Sequence, residues 1–141
     1  FAESTANTSF SLPLDRSKQY QWRVRGMNDS LQSRWSIIRV LTFDNEPPSK
    51  VALASPANKG TGTKPITFQW NSVASAKRYE FVLLKSDSTT TFSSSFPTIV
   101  GNTSFLFSGG ELNDVLYWRV RAADEAGNWG AYSDLRSVTI Q

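Results

Sequence analysis

Apolar and polar residues alternate along this chain in short bursts, separated by Gly, Pro, Asn, Asp and Ser. In Ile66-Thr67-Phe68-Gln69-Trp70 every second side chain is apolar, which on a pleated strand puts Ile66, Phe68 and Trp70 on one face. Residues 79–84 predict another strand, with Tyr79, Phe81 and Leu83 inward. Residues 116–122 give the clearest pattern: Leu116, Trp118, Val120 and Ala122 share an inner face, while Tyr117, Arg119 and Arg121 point out. Further strands are expected at 51–55, 103–107 and 135–140, with a Ser/Thr-rich edge strand at 90–94 and a corner at Gly109-Gly110. No window carries a helical period. The pattern predicts an all-β sandwich.

The chain also repeats itself. Residues 1–10, from Phe1 to the Asn7-Thr8-Ser9-Phe10 run, lie over 96–105, which end in Asn102-Thr103-Ser104-Phe105. Trp22-Arg23-Val24-Arg25 matches Trp118-Arg119-Val120-Arg121, Trp35-Ser36 matches Tyr132-Ser133, and Arg39 matches Arg136. Residues 1–43 therefore correspond to 96–140, and nothing ahead of Phe1 corresponds to 51–95. The expected organisation is the C-terminal half of a module at 1–44, a Pro47-Pro48 linker at 45–50 and a complete module at 51–141. Two consecutive prolines favour extended backbone and a semi-stiff connection. The half module would expose Phe10, Tyr20, Trp22 and Val24. It is expected to be completed from outside, by an upstream fragment or by a second copy in a swapped dimer, unless the break is simply a cut near a loop-rich edge. The opening on Phe1 in mid-pattern is read as a piece of something longer.

Composition narrows the function. At 39% hydrophobic and 19% charged residues, with five Trp and nine Phe, the chain suits a tightly packed globular core. It has no Cys and no His, which removes disulfides, thiolate metal sites, the thiol nucleophile and the commonest general base. The acidic residues fall mostly in turns rather than in a facing pair, and no phosphate-cradling Gly-rich loop is present. An enzyme is not expected, nor any cofactor or metal. Net charge is +3, without the dense basic stripe that nucleic-acid binding needs, and no apolar run is long enough to span a membrane as a helix.

Tyr117-Trp118-Arg119-Val120-Arg121-Ala122-Ala123-Asp124-Glu125-Ala126-Gly127-Asn128-Trp129 resembles the F strand and FG loop of bacterial fibronectin type III-like repeats. Pro47-Pro48, Ser55-Pro56-Ala57-Asn58 and Phe68-Gln69-Trp70-Asn71 resemble their linker, A strand and B strand. The resemblance implies an immunoglobulin-like β-sandwich and tandem modules, which serve as spacers, adhesins or enzyme appendages. It also implies a corner Tyr on the F strand. Tyr20 fits that place in the first repeat, but Leu116 holds it in the second, where packing alone is expected to fasten the corner. Trp129-Gly130-Ala131-Tyr132-Ser133 is similar to the Trp-Ser-x-Trp-Ser box of cytokine-receptor modules with two substitutions.

The candidate binding residues are Trp129, Tyr132, Arg119 and Arg121. Outward guanidinium groups beside aromatic rings would form a cation–π ladder, worth roughly 0.5–2 kcal/mol per contact. Such a ladder would either bind acidic glycans or simply stiffen the sheet. Asp124, Glu125 and Asn128 offer too few oxygens for calcium and read as a turn. Asn7, Asn28 and Asn102 match the N-glycosylation pattern, which matters only in a eukaryotic secretory pathway. The expected function is a non-catalytic spacer or stalk in a larger bacterial extracellular or cell-surface protein. The alternative is a carbohydrate-binding or adhesive module, as an accessory domain of a polysaccharide-degrading enzyme or otherwise. Expected partners are neighbouring modules of the same polypeptide, with a glycan or surface protein as a further ligand.

Overall fold

The computed structural model describes all 141 residues, which divide into two compact units, Phe1–Glu46 and Pro47–Gln141. Every regular element is a strand.

The first unit holds β1 (Lys18–Trp22) and β2 (Arg39–Phe43), paired antiparallel with Tyr20 opposite Leu41 and Trp22 opposite Arg39. The pairing continues past β1, where the Ser36 N–H donates to the Val24 carbonyl (2.8 Å) and the Ser33 N–H to that of Gly26 (2.9 Å). Asn28 closes the connecting turn by accepting from the Ser30 and Leu31 N–H groups through Oδ1, an Asx turn. Tyr20 makes the corner bond expected of it: its hydroxyl donates to the Arg16 carbonyl at 3.1 Å.

The second unit contains β3 (Leu53–Ser55), β4 (Gly60–Gly62), β5 (Ile66–Trp70), β6 (Arg78–Leu84), β7 (Thr98–Val100), β8 (Ser104–Phe107), β9 (Val115–Ala123) and β10 (Arg136–Ile140). Two sheets form, ordered β3-β5-β8 and β4-β10-β9-β6-β7. Their facing sides carry the alternating residues: Ile66, Phe68 and Trp70 from one sheet, and Phe81, Leu83, Leu116, Trp118, Val120 and Val138 from the other, all buried. Trp118 lies at the centre, edge-on to Phe68 at 5.0 Å, and Phe81 stacks on Phe105 at 4.7 Å. Burying a side chain of this size contributes about 1.5–3 kcal/mol, so the aromatic cluster dominates the stability of the unit.

Several sequence expectations change. Residues 90–94 are not an edge strand. They make one isolated bridge, Leu84 to Thr91, and the strand that borders β6 on the side away from β9 is β7, with Tyr79 opposite Val100 and Phe81 opposite Thr98. Between β6 and β7 the chain turns on Asp87, which accepts from the N–H groups of Thr89 (2.9 Å) and Thr90 (2.8 Å) and from the Thr90 hydroxyl. These bonds, led by that hydroxyl, pull its carboxyl pKa down to about 2. Phe96 is buried, and Phe92 meets Phe107 edge-on at 5.0 Å, so this loop feeds rings to the core instead of hydrogen bonds to an edge.

The corner before β9 is fastened by more than packing. With Leu116 where a Tyr was expected, the Asp114 carboxylate accepts from the Glu111 N–H (2.8 Å), and the Asp114 carbonyl accepts from Ile140 (2.9 Å). The segment read as a linker also differs. Pro47–Lys50 groups with the second unit: Pro48 is buried, and Lys50 Nζ reaches Asp134 at 2.6 Å.

Candidate functional site

The outer face of the larger sheet carries charge because β9 alternates: while Trp118 and Val120 face the core, Arg119 and Arg121 face away. Antiparallel pairing aligns Glu80 of β6 with Arg121, and Arg78 with Ala123, so this face also receives an acid and a third guanidinium. After β9 the chain folds back alongside it. Trp129 bridges Ala123, the Gly130 N–H donates to the Ala122 carbonyl (2.8 Å), and the Ser133 N–H donates to that of Val120 (2.8 Å). That return lays two aromatic rings across the arginines.

The result is an ordered stack. Arg78 lies 5.5 Å from the Trp129 ring, and Arg121 lies 4.7 Å from it on the way to Tyr132, which it also approaches at 4.7 Å. Arg119 follows at 4.1 Å from the Tyr132 ring. Glu80 ties the stack to the sheet. Arg121 donates to it through Nε (3.0 Å) and Nη2 (3.1 Å), and the Tyr132 hydroxyl donates to the same carboxylate. Burial works to raise the Glu80 pKa, but the hydrogen bonds from Arg121 and Tyr132 and the nearby positive charge outweigh it and hold the carboxyl below its usual range. Burial, and then the bond to Glu80, push the Tyr132 phenol up; the Glu80 bond raises Arg121 as well.

The first unit carries a shorter version. Arg23 and Arg25 lie 4.4 and 4.5 Å from the Trp35 ring, in the order the repeat dictates. A second shared feature is a serine stitch. Ser133 Oγ accepts from the Val120 N–H (3.1 Å), and Ser36 Oγ accepts from that of Val24 (3.0 Å).

The structure thus brings Trp129, Tyr132, Arg119 and Arg121 onto one patch. Sequence reasoning missed Arg78, Glu80 and Ser133. Glu80 and Arg78 fall at outward positions of β6, and aligning that strand against β9 would have exposed them; as isolated charges they read as solvated surface. Asp124, Glu125 and Asn128 form a turn. Both Asp124 carboxylate oxygens accept from Asn128, from its N–H and its Nδ2 at 2.9 Å each, and Glu125 lies 3.9 Å from Lys77 on the surface. Burial tends to raise the Asp124 pKa, yet these bonds and the loop amides hold it low. No three His, Cys, Asp or Glu side chains gather as a metal site.

No protein-family model matches the chain, and no curated protein matches its sequence. Solved structures do match. One, a crystal structure of the FN1–FN3 domains of chicken CNTN1, aligns over 89% of this chain at 18% identity with a TM-score of 0.53. This chain spans 43% of that structure's length. The fold is a fibronectin type III β-sandwich. A second match, the structure named FN3tt, is 20% identical over 68% of this chain and 97% of its own, with a TM-score of 0.46.

Proposed function

We propose that this chain is a non-catalytic spacer segment of a larger extracellular or cell-surface protein, with its fibronectin type III module acting as a stiff mechanical unit. The observation that carries the reading is the closure of the ladder upon itself. Each ring that a sugar would stack on already faces two guanidinium groups: Trp129 sits between Arg78 and Arg121, and Tyr132 between Arg121 and Arg119. The acid that neutralises the central arginine comes from the same sheet. Contacts of this kind, spent internally, stiffen the outer face of the sheet and leave few unsatisfied groups for a ligand. The absence of His and Cys is in keeping with a role without chemistry. A bacterial surface setting rests on the sequence resemblance.

The test is a screen of neutral and acidic polysaccharides against the full chain and its Trp129→Ala variant. The spacer reading expects no saturable binding by either. Saturable binding that disappears in the variant would overturn it in favour of an adhesive module with its site on the ladder.

A further inference from the structure

A cleft opens on the second unit away from the ladder, at the end of the sandwich where β6 runs out and β9 begins. Strand alternation builds it. On these two strands every second residue faces the core, and the last to be buried there are Leu83 and Leu116. The next positions of the same parity are Lys85 and Asp114, one residue past the strand ends, so two charges stand at the mouth of the core. Phe92, edge-on to Phe107 of the other sheet, and Leu116 supply an apolar floor. The cleft holds about 330 Å³, within the range of about 300–1,000 Å³ of small-molecule sites. Its charges are held apart. Lys85 forms no ion pair, and only one oxygen of Asp114 is engaged, Oδ2 accepting from the Glu111 N–H at 2.8 Å. The Asp114 backbone is fixed on both sides: its N–H donates to the Glu111 carbonyl at 3.1 Å, and its carbonyl accepts from Ile140 at 2.9 Å. Asn113 enters this turn through a left-handed φ of 69° and leaves its side-chain amide on the rim, where the Ser86 hydroxyl also stands without a partner.

We propose that this cleft binds a free α-amino acid with an apolar side chain. The ligand's ammonium donates to Asp114 Oδ1, its carboxylate accepts from Lys85 Nζ, and its side chain lies over Phe92 and Leu116. Ser86 and Asn113 complete the rim with a hydroxyl and an amide. The two charges select the class. A lone anion would meet Asp114 and a lone cation Lys85, while a neutral ligand would strip water from both and return no ionic partner to either. A zwitterion meets both with charge-assisted hydrogen bonds. In a peptide the two end charges are separated by the whole chain, so a single amino acid fits a small cleft of this kind better. The cleft shares no residue with the ladder, and the proposal stands apart from the spacer reading.

The experiment titrates the full chain with L-leucine and L-phenylalanine and follows its backbone amide NMR shifts. Saturable shifts centred on Ser86, Phe92, Asn113 and Leu116 are expected at millimolar ligand. Two analogues each lack one charge: N-acetyl-leucine has no ammonium and leucinamide no carboxylate. Each should bind at least about tenfold more weakly than leucine. Lys85→Met should weaken leucine by a similar factor and leave leucinamide unaffected. Asp114→Asn, which keeps an acceptor for the Glu111 N–H, should weaken leucine and leave N-acetyl-leucine unaffected. Lys85 is exposed, so its variant folds whatever happens at the corner and decides the point alone. Absence of saturable shifts with both amino acids overturns the proposal. Equal binding of leucine and both analogues does so too, because the cleft then reads only the apolar side chain. Saturable binding of a monosaccharide in place of the amino acids is the third refuting result. The polysaccharide screen reports on the ladder, so a failure here leaves the spacer reading standing.

Discussion

Ser133 and Val120 exchange two hydrogen bonds: the serine N–H donates to the Val120 carbonyl at 2.8 Å, and the serine Oγ accepts from the Val120 N–H at 3.1 Å. Ser133 is buried, so its hydroxyl satisfies a backbone donor that water does not reach. Replacing it by Ala leaves that donor without its acceptor. Ser133→Ala is expected to cost about 1–3 kcal/mol, a fall in Tm of roughly 4–8 °C for each kcal/mol in a unit of this size. Thermal unfolding followed by near-ultraviolet circular dichroism reads it. An unchanged Tm would mean the stitch contributes nothing.

Glu80 predicts an acid-sensitive ladder. Its folded-state pKa lies below the unfolded value, so its stabilisation is present above the ordinary carboxylate range and is lost as pH falls through the depressed value. Glu80→Gln should therefore lower stability at pH 7 by about 1–2 kcal/mol, discounted because Arg121 keeps some contact with water. The gap between variant and parent should narrow well below about pH 4. Urea titrations of both proteins at the two pH values decide it, and a gap independent of pH would refute the charge argument.

Trp129 is held between two guanidinium groups. Trp129→Ala removes both contacts and should destabilise the second unit by about 1–2 kcal/mol. Guanidinium-free denaturation with urea is the proper measurement, since a guanidinium denaturant would compete for the ring. Equal unfolding midpoints for parent and variant would show a ring that only rests on the surface.

Gly130 has no room for a side chain. A Cβ there would collide with the backbone carbonyl oxygen of Pro48, which cannot move aside as a flexible side chain would. Gly130→Ala should cost about 1–3 kcal/mol and loosen Pro47–Lys50 from the sheet. Faster proteolysis near Lys50 is the expected sign, and wild-type resistance would contradict the close approach.

What the sequence made legible followed the strength of its alternation. Residues 66–70 were bounded as found, and 116–122 fell within β9, because each writes an inward face in large side chains. The strands that escaped are the ones whose pairing owes little to side chains. Gly60–Gly62 joins β10 through its backbone, and Thr98–Val100 is too short for a period to show. Residues 90–94 look like a strand because Thr and Phe favour the pleat, but Phe92 is drawn to the core and the turn on Asp87 decides the path. Val82 and Leu84 sit on the outer face and are buried all the same; their cross-strand partners are Arg119 and Tyr117, whose long side chains cover apolar neighbours. The ladder was half visible for a related reason. Its rings and its β9 arginines lie close in sequence, whereas Glu80 and Arg78 enter only through strand register.

The outermost strands of the second unit are all short. β3, β4 and β7 have three residues each and β8 four, while the inner strands run from five to nine. A foreign strand arriving at any border would find only a few donors and acceptors in line before the register ran out. A folded module of this kind is therefore a poor seed for fibrils, even when like sequences are crowded together at high local concentration. The danger lies earlier, in the interval during folding when the nine-residue β9 has been made but not yet flanked.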